Sequence, residues 1–372
     1  MKKIKFMLIA MMAIMAGAMS FTSCSSDDDD KAKQNIISEY QLNDEAVAQQ
    51  KAKSGKDKAI LLVAFGSTWN NSFLAFDATK AAYEKAFPAY DVFVSFSSDI
   101  CINRAHEGEN VDENGNIVSR DYYEPRYLLH AIGAAKYSEI CVQSLQVIPG
   151  EEFANVVASV KKFGNNGYVA NAHLDDDYLS KVKIRLGMPL LNNPDTDVPE
   201  VAKQLDILYG NEATKGAVLF MGHGNPDTYD TFKANVRYTQ LEEELQKYSK
   251  NYFVGTVDMP DNYKQDVFAR MQDNNIKSGN VYLHALMSIA GDHAHNDMAG
   301  EGDEYWDDEE EESEDNSWFE FFNHKGYKAS APVKNNHPLG LLELEGIREV
   351  WIKHTKNAET LEEAYHSMYP EE

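Results

Sequence analysis

Ala59-Ile60-Leu61-Leu62-Val63-Ala64-Phe65-Gly66-Ser67 is a short apolar run closed by a glycine. Polar residues do not alternate along it, so both faces must be covered, as in a buried parallel strand. A helical pattern follows over residues 76–83. Residues 91–96 (DVFVSF) read as a second strand and 139–148 (EICVQSLQVI) as a third. Strands alternating with helices predict an α/β fold with a parallel sheet. Order is expected to begin near Ala59, with residues 25–56 a polar tether holding at most one short helix.

The second half repeats the plan. Lys215-Gly216-Ala217-Val218-Leu219-Phe220-Met221-Gly222-His223-Gly224 echoes the first strand and its glycine. Residues 280–293 (NVYLHALMSIAGDH) echo the segment from Glu139 to Glu152. The offsets are close to a domain length. The chain is therefore expected to form two similar doubly wound parallel-sheet domains, 57–198 and 199–372. The turn-rich stretch NNPDTDVPE joins them. Ligands of such sheets sit beyond the carboxyl ends of the strands, so two facing edges would flank a cleft.

What precedes the first strand is not fold. Lys2, Lys3 and Lys5 lead into FMLIAMMAIMAGAMS, the layout of a secretory signal peptide over residues 1–24. Cys24 after small residues resembles a lipoprotein cleavage and lipid-attachment site. Acylation there would anchor the protein to a membrane face, periplasmic or cell-surface, outside the cytoplasm. Asp27–Asp30 reads either as a solvated spacer or as a surface-export signal. Of the other cysteines, Cys101 and Cys141 lie in apolar contexts and are expected to be buried thiols.

The net charge is −25. A chain so acidic is a poor partner for nucleic acid. The excess is local: Asp27–Asp30 and the eleven acids of residues 301–315 account for fifteen charges, and −10 remains without them. The 301–315 run reads as a solvated loop, with a metal-gathering lip as the alternative.

The chemistry lies in a contrast between the halves. Where the first has Phe65-Gly66-Ser67 and Pro149-Gly150-Glu151, the second has Gly222-His223-Gly224 and Gly291-Asp292-His293. Between them, Phe253-Val254-Gly255-Thr256-Val257-Asp258 ends in a carboxylate. His223, Asp258 and His293 at three strand ends suit a divalent first-row metal if they converge. Otherwise they are turn and cap residues.

The segments VLFMGHG (218–224) and AGDHAHNDMA (290–299), with LLVAFGST (61–68) and QSLQVIPGEEF (143–153), resemble the signatures of the anaerobic cobalt chelatases of the CbiK type. The likeness runs over roughly residues 58–355. It implies two chelatase-like α/β domains around a tetrapyrrole cleft. It also implies ATP-independent insertion of a divalent metal into a sirohydrochlorin-type ring. The metal is expected to be Co2+, with Fe2+ or Ni2+ as alternatives. It implies His223 as base and metal ligand, and His293 as second ligand. The family's Glu stands where this chain has Asp258, one methylene shorter. Gln146 stands where the family often has His, which alters substrate contacts. Arg104 is a candidate for binding ring carboxylates.

His295 and Asp297 read either as partners of the ligands or as surface residues. His284 reads as a core histidine, and Tyr122, Tyr123 and Trp306 as packing aromatics or ring-stacking ones. The extracytoplasmic location keeps two alternatives open, a haem- or corrinoid-binding scavenger and a tetrapyrrole dechelatase. A homo-oligomer is compatible with any of these readings.

Overall fold

A computed structural model describes residues 43–107, 120–166, 172–230, 232–300, 316–334 and 337–368. Residues 1–24 with Cys24, the Asp27–Asp30 run, and the 301–315 run with Trp306 lie outside the described residues.

The internal echo is a repeat of topology. The first sheet runs β2 (Tyr90–Phe96), β1 (Lys58–Ala64), β3 (Glu139–Ser144), β4 (Lys183–Gly187). The second runs β6 (Tyr252–Thr256), β5 (Gly216–Gly222), β7 (Asn280–Ala285), β8 (Lys328–Ser330). These eight strands pair with one another only in parallel, and both sets have the same order, second-first-third-fourth. β1 and β5 share a burial pattern, with every residue after the first buried. Their side chains nevertheless alternate between cores, as strand geometry requires. Ile60, Leu62, Val218 and Phe220 enter one core that serves both sheets. Leu61 and Val63 face a second core, and Leu219 and Met221 a third.

Both ends of the chain depart from the expected boundaries. Residues 43–54 form a helix, α1, so order begins well before Ala59. Its Ala, Glu, Gln and Lys residues favour helix. Val47 is its buried apolar anchor, in the second core. Gln50 and Ser54 donate to the Asp91 carboxylate at 3.0 and 2.7 Å. A single apolar anchor among polar residues gives no periodic pattern, which is why the segment reads as a tether. The tail departs too. After β8 come the two-residue strands β9 (Val333–Lys334) and β10 (His337–Pro338), which form a small antiparallel ladder. β11 (Glu359–Thr360) then pairs antiparallel with β4, so the last elements belong to the first sheet, not to a 199–372 domain. The physical reason is the exposed edge of β4, which this strand covers.

The longer helices are α2 (Asn70–Ala86), α3 (Asp99–Glu107), α4 (Pro125–Ala134) and α5 (Glu151–Asn166) in the first half, with α6 (Asp197–Ala213) connecting β4 to β5. In the second they are α7 (Val236–Leu245), α8 (Lys264–Asp273), α9 (Trp318–His324), α10 (Glu345–Lys356) and α11 (Leu361–Met368). The loops at the carboxyl ends of the two sheets meet. A Cβ on Gly150 would lie 2.7 Å from the side-chain amide of Asn225. The Ser72 hydroxyl donates to the Ala290 carbonyl at 3.1 Å. Cys101 and Cys141 are buried free thiols, and burial raises both pKa values, that of Cys141 to about 12.

Candidate metal centre

His223 follows β5 directly, and its two glycines have separate causes. A Cβ at Gly222 would strike the Tyr238 ring at 2.4 Å. Gly224 has φ +81° and packs on the backbone nitrogen of Met259. The β5–β6 pairing then continues past the strands, because the backbone N–H of Asp258 donates to the His223 carbonyl at 2.8 Å. Residues 223 and 258 are thereby fixed in register.

The His223 ring lies edge-on to that of His293, with centroids 4.9 Å apart and planes at 81°. His223 Nδ1 lies 2.8 Å from the Gly224 carbonyl and 3.5 Å from Asp258 Oδ2. With the proton on Nδ1, Nε2 keeps its lone pair. His293 is not at a strand end but beyond Ala285, just before a π-helical turn, Ala294–Met298. Its Nδ1 lies 2.5 Å from Asp297 Oδ2, so it donates to that carboxylate and presents Nε2 in turn. A carboxylate behind an imidazole is the arrangement that orients metal-binding histidines.

The structure thus brings His223, Asp258 and His293 into one cluster, with Asp258 on the Nδ1 side of His223. Among the described residues, no three His, Cys, Asp or Glu side chains are already arranged to hold a metal ion. Two imidazoles with free Nε2 atoms can supply two ligands and leave the remaining positions open to an incoming ligand. The rings are about half exposed, at 49% for His223 and 44% for His293, so a ligand can reach them.

The two histidines are tuned apart. Desolvation and the neighbouring His293 hold the His223 pKa below its ordinary value, outweighing the pull of Asp258. For His293 desolvation acts the same way, but the Asp297 hydrogen bond and charge, with Asp258 and Asp292, raise the pKa above 6.5. A metal competes with the proton for Nε2. Co(II) affinity should therefore fall as pH drops through the His293 pKa, with an inflection above 6.5. In Asp297→Asn the inflection should move down. Co(II) titrations by visible absorbance across pH check both, and a pH-independent affinity would contradict the assignment.

The other candidates are dispersed. Arg104 is exposed on α3, close enough to act on the Cys101 thiol, as Asp292 also is. Gln146 is buried: its side-chain oxygen takes the Ser144 hydroxyl, and its carbonyl accepts from Trp351 Nε1 at 3.3 Å. Tyr122 stacks on Phe96 at 3.8 Å and is a packing residue. His284 is buried in β7 and bonded to Glu212 at 2.6 Å. Sequence reasoning gave no role to Glu152, in the first turn of α5. It accepts from Ser97 Oγ at 2.9 Å, and burial raises its pKa. The Gly150–Asn225 contact places its loop two residues from His223. Its only signal was its place in the PGEEF echo of the GDH segment.

The cobalt chelatase (CbiK) family model matches residues 58–360. The sirohydrochlorin cobaltochelatase CbiKC of Nitratidesulfovibrio vulgaris (strain Hildenborough) is 26% identical over 298 residues, 80% of this chain and 89% of that protein. The sirohydrochlorin cobaltochelatase of Salmonella typhimurium is 25% identical over 255 residues, 67% of this chain and 83% of that one. Among solved structures, SirB from Bacillus subtilis with Fe3+ matches with a TM-score of 0.47 at 13% identity, over 81% of this chain and 95% of that chain.

Proposed function

The chain belongs to the CbiK family of cobalt chelatases, and from that premise we propose that it inserts Co2+ into a sirohydrochlorin-type tetrapyrrole, without ATP and outside the cytoplasm. The observation that carries the reading is the pair of edge-on histidines, each with Nδ1 occupied and Nε2 available. The reaction exchanges two pyrrole N–H protons for one divalent cation. Nε2 of His223 and of His293 hold the arriving metal. As the ring nitrogens take the metal over, the released Nε2 of His223 accepts one pyrrole proton, and the second leaves to the solvent that reaches the half-exposed rings. A lowered pKa keeps that ring neutral and ready. Asp258, on the Nδ1 side, stabilises the imidazolium that forms.

Independence from ATP is supported by the likeness to the anaerobic cobalt chelatases, carried by the 218–224 and 290–299 segments. The extracytoplasmic location rests on Lys2 to Cys24, and radiolabelled fatty acid on Cys24 in cells would support it.

Protein lacking residues 1–24 should metallate sirohydrochlorin with Co(II) well above the spontaneous rate, followed by absorbance. Fe(II) and Ni(II) in parallel define the metal. Tight binding of a metallated ring without turnover would instead show a scavenger, and release of metal from haem a dechelatase.

A further inference from the structure

Trp69 lies in the first sheet's loop after β1 and stacks on His295 of the second, with centroids 3.6 Å apart and planes at 4°. His295 is 2% exposed and is the second residue of the π-helical turn Ala294–Met298. That turn is irregular backbone, the kind often found at functional sites. It bears Asp297, which bonds His293 Nδ1. Ala294 and Met298 anchor the turn in the third core. The opposite anchor comes from the other sheet. Trp69 N–H donates to Ser67 Oγ at 3.1 Å, Ser67 Oγ lies 2.9 Å from Ser72 Oγ, and Ser72 Oγ donates to the Ala290 carbonyl. The turn is thus gripped between a core on its own side and an indole from the first sheet's loop.

We propose that Trp69 is a positioning residue for His293, holding through His295 the turn whose Asp297 aims the His293 ring. The metal-binding geometry of the second sheet is then set by a residue of the first. Metal capture becomes dependent on the two sheets keeping their positions relative to one another. The indole touches neither metal nor ring in this role. Its effect passes through the outer partner of a ligand, a layer whose loss typically costs about 10- to 100-fold in metal affinity.

This inference rests on the chelatase reading, and the test separates the two. Co(II) binding to the full chain is measured by visible absorbance with a competing chelator, followed by metal and sirohydrochlorin kinetics. Trp69→Ala should weaken Co(II) binding by about 10-fold or more. The KM for metal should rise while the KM for the ring stays. Trp69→Phe, which keeps a flat stacking face, should restore most of the affinity. His295→Leu, which keeps buried volume but removes the ring, should repeat the Trp69→Ala loss. Wild-type Co(II) affinity in both Trp69→Ala and His295→Leu would overturn the inference. So would a loss in Trp69→Ala that raises both KM values together, lowers the melting temperature and is not rescued by Phe. Failure of the wild-type chain itself to bind Co(II) would overturn the chelatase reading and this inference with it.

Discussion

His223→Ala should lose about 10² to 10⁴-fold in kcat/KM for metal insertion, the range that removal of a positioned proton acceptor spans. The residue has two duties in the proposed cycle, holding the metal through Nε2 and then taking a proton on the same atom. Alanine removes both. The ring is about half exposed and fills no core, so the variant should fold with nearly the wild-type melting temperature. His223→Gln separates the duties in part, since an amide can hydrogen-bond but is neither a base nor a comparable metal ligand. His293→Ala removes one ligand but leaves the proton acceptor. It should therefore weaken Co(II) binding more than it slows turnover of bound metal. If the two rings act as one unit, the double variant will be little worse than His223→Ala alone. A His223→Ala enzyme within about 3-fold of wild type, on a scale where general base loss costs at least 10²-fold, would remove His223 from the mechanism.

The sequence made the sheets legible because parallel strands buried on both faces read as unbroken apolar runs. β1 and β5 begin within a residue of where Ala59 and Lys215 suggested. The repeat was legible for the same reason, and it singled out His223 and His293 as the positions where the halves differ. Three features were only partly legible. The helix 43–54 has one apolar anchor, Val47, so its stability comes from polar contacts to Asp91 that are distant in sequence. The π-helical turn after His293 places Asp297 behind that ring, and a shift from α to π geometry leaves no mark in composition. The sequence alone points to Asp258 as a third ligand because it ends an apolar run between the two histidines. Its side of the His223 ring is decided by the backbone bond from Asp258 N–H to the His223 carbonyl, which only three-dimensional register can show.

Trp351→Ala should cost about 3 to 5 kcal/mol of folding stability, the usual toll for truncating a buried Trp. Trp351 has no exposed surface and lies on α10, in the core shared by both sheets. Its indole N–H donates to the Gln146 carbonyl, in the loop after β3. One turn on, Thr355 donates to Gln143 Oε1 at 2.7 Å and meets the Tyr83 hydroxyl at 3.2 Å. The helix therefore pins the second half of the chain to β3 and α2 of the first, just before β11 closes the edge of β4. Alanine leaves a cavity at that junction, and neighbours fixed on two different sheets have little freedom to close it. The Gln146 carbonyl keeps a second donor, Leu190 N–H at 3.0 Å, so the loss is one of packing more than of an orphaned acceptor. Urea unfolding measures the change, with Ile207→Ala on the exposed face of α6 as a control expected within about 0.5 kcal/mol of wild type. A strap shared by both sheets has a further consequence. They should unfold in one transition by fluorescence and far-ultraviolet circular dichroism alike, because neither keeps its core without α10. Two separated transitions, or a Trp351→Ala change below about 1 kcal/mol, would show that the halves are stable apart and that α10 merely rests on the first.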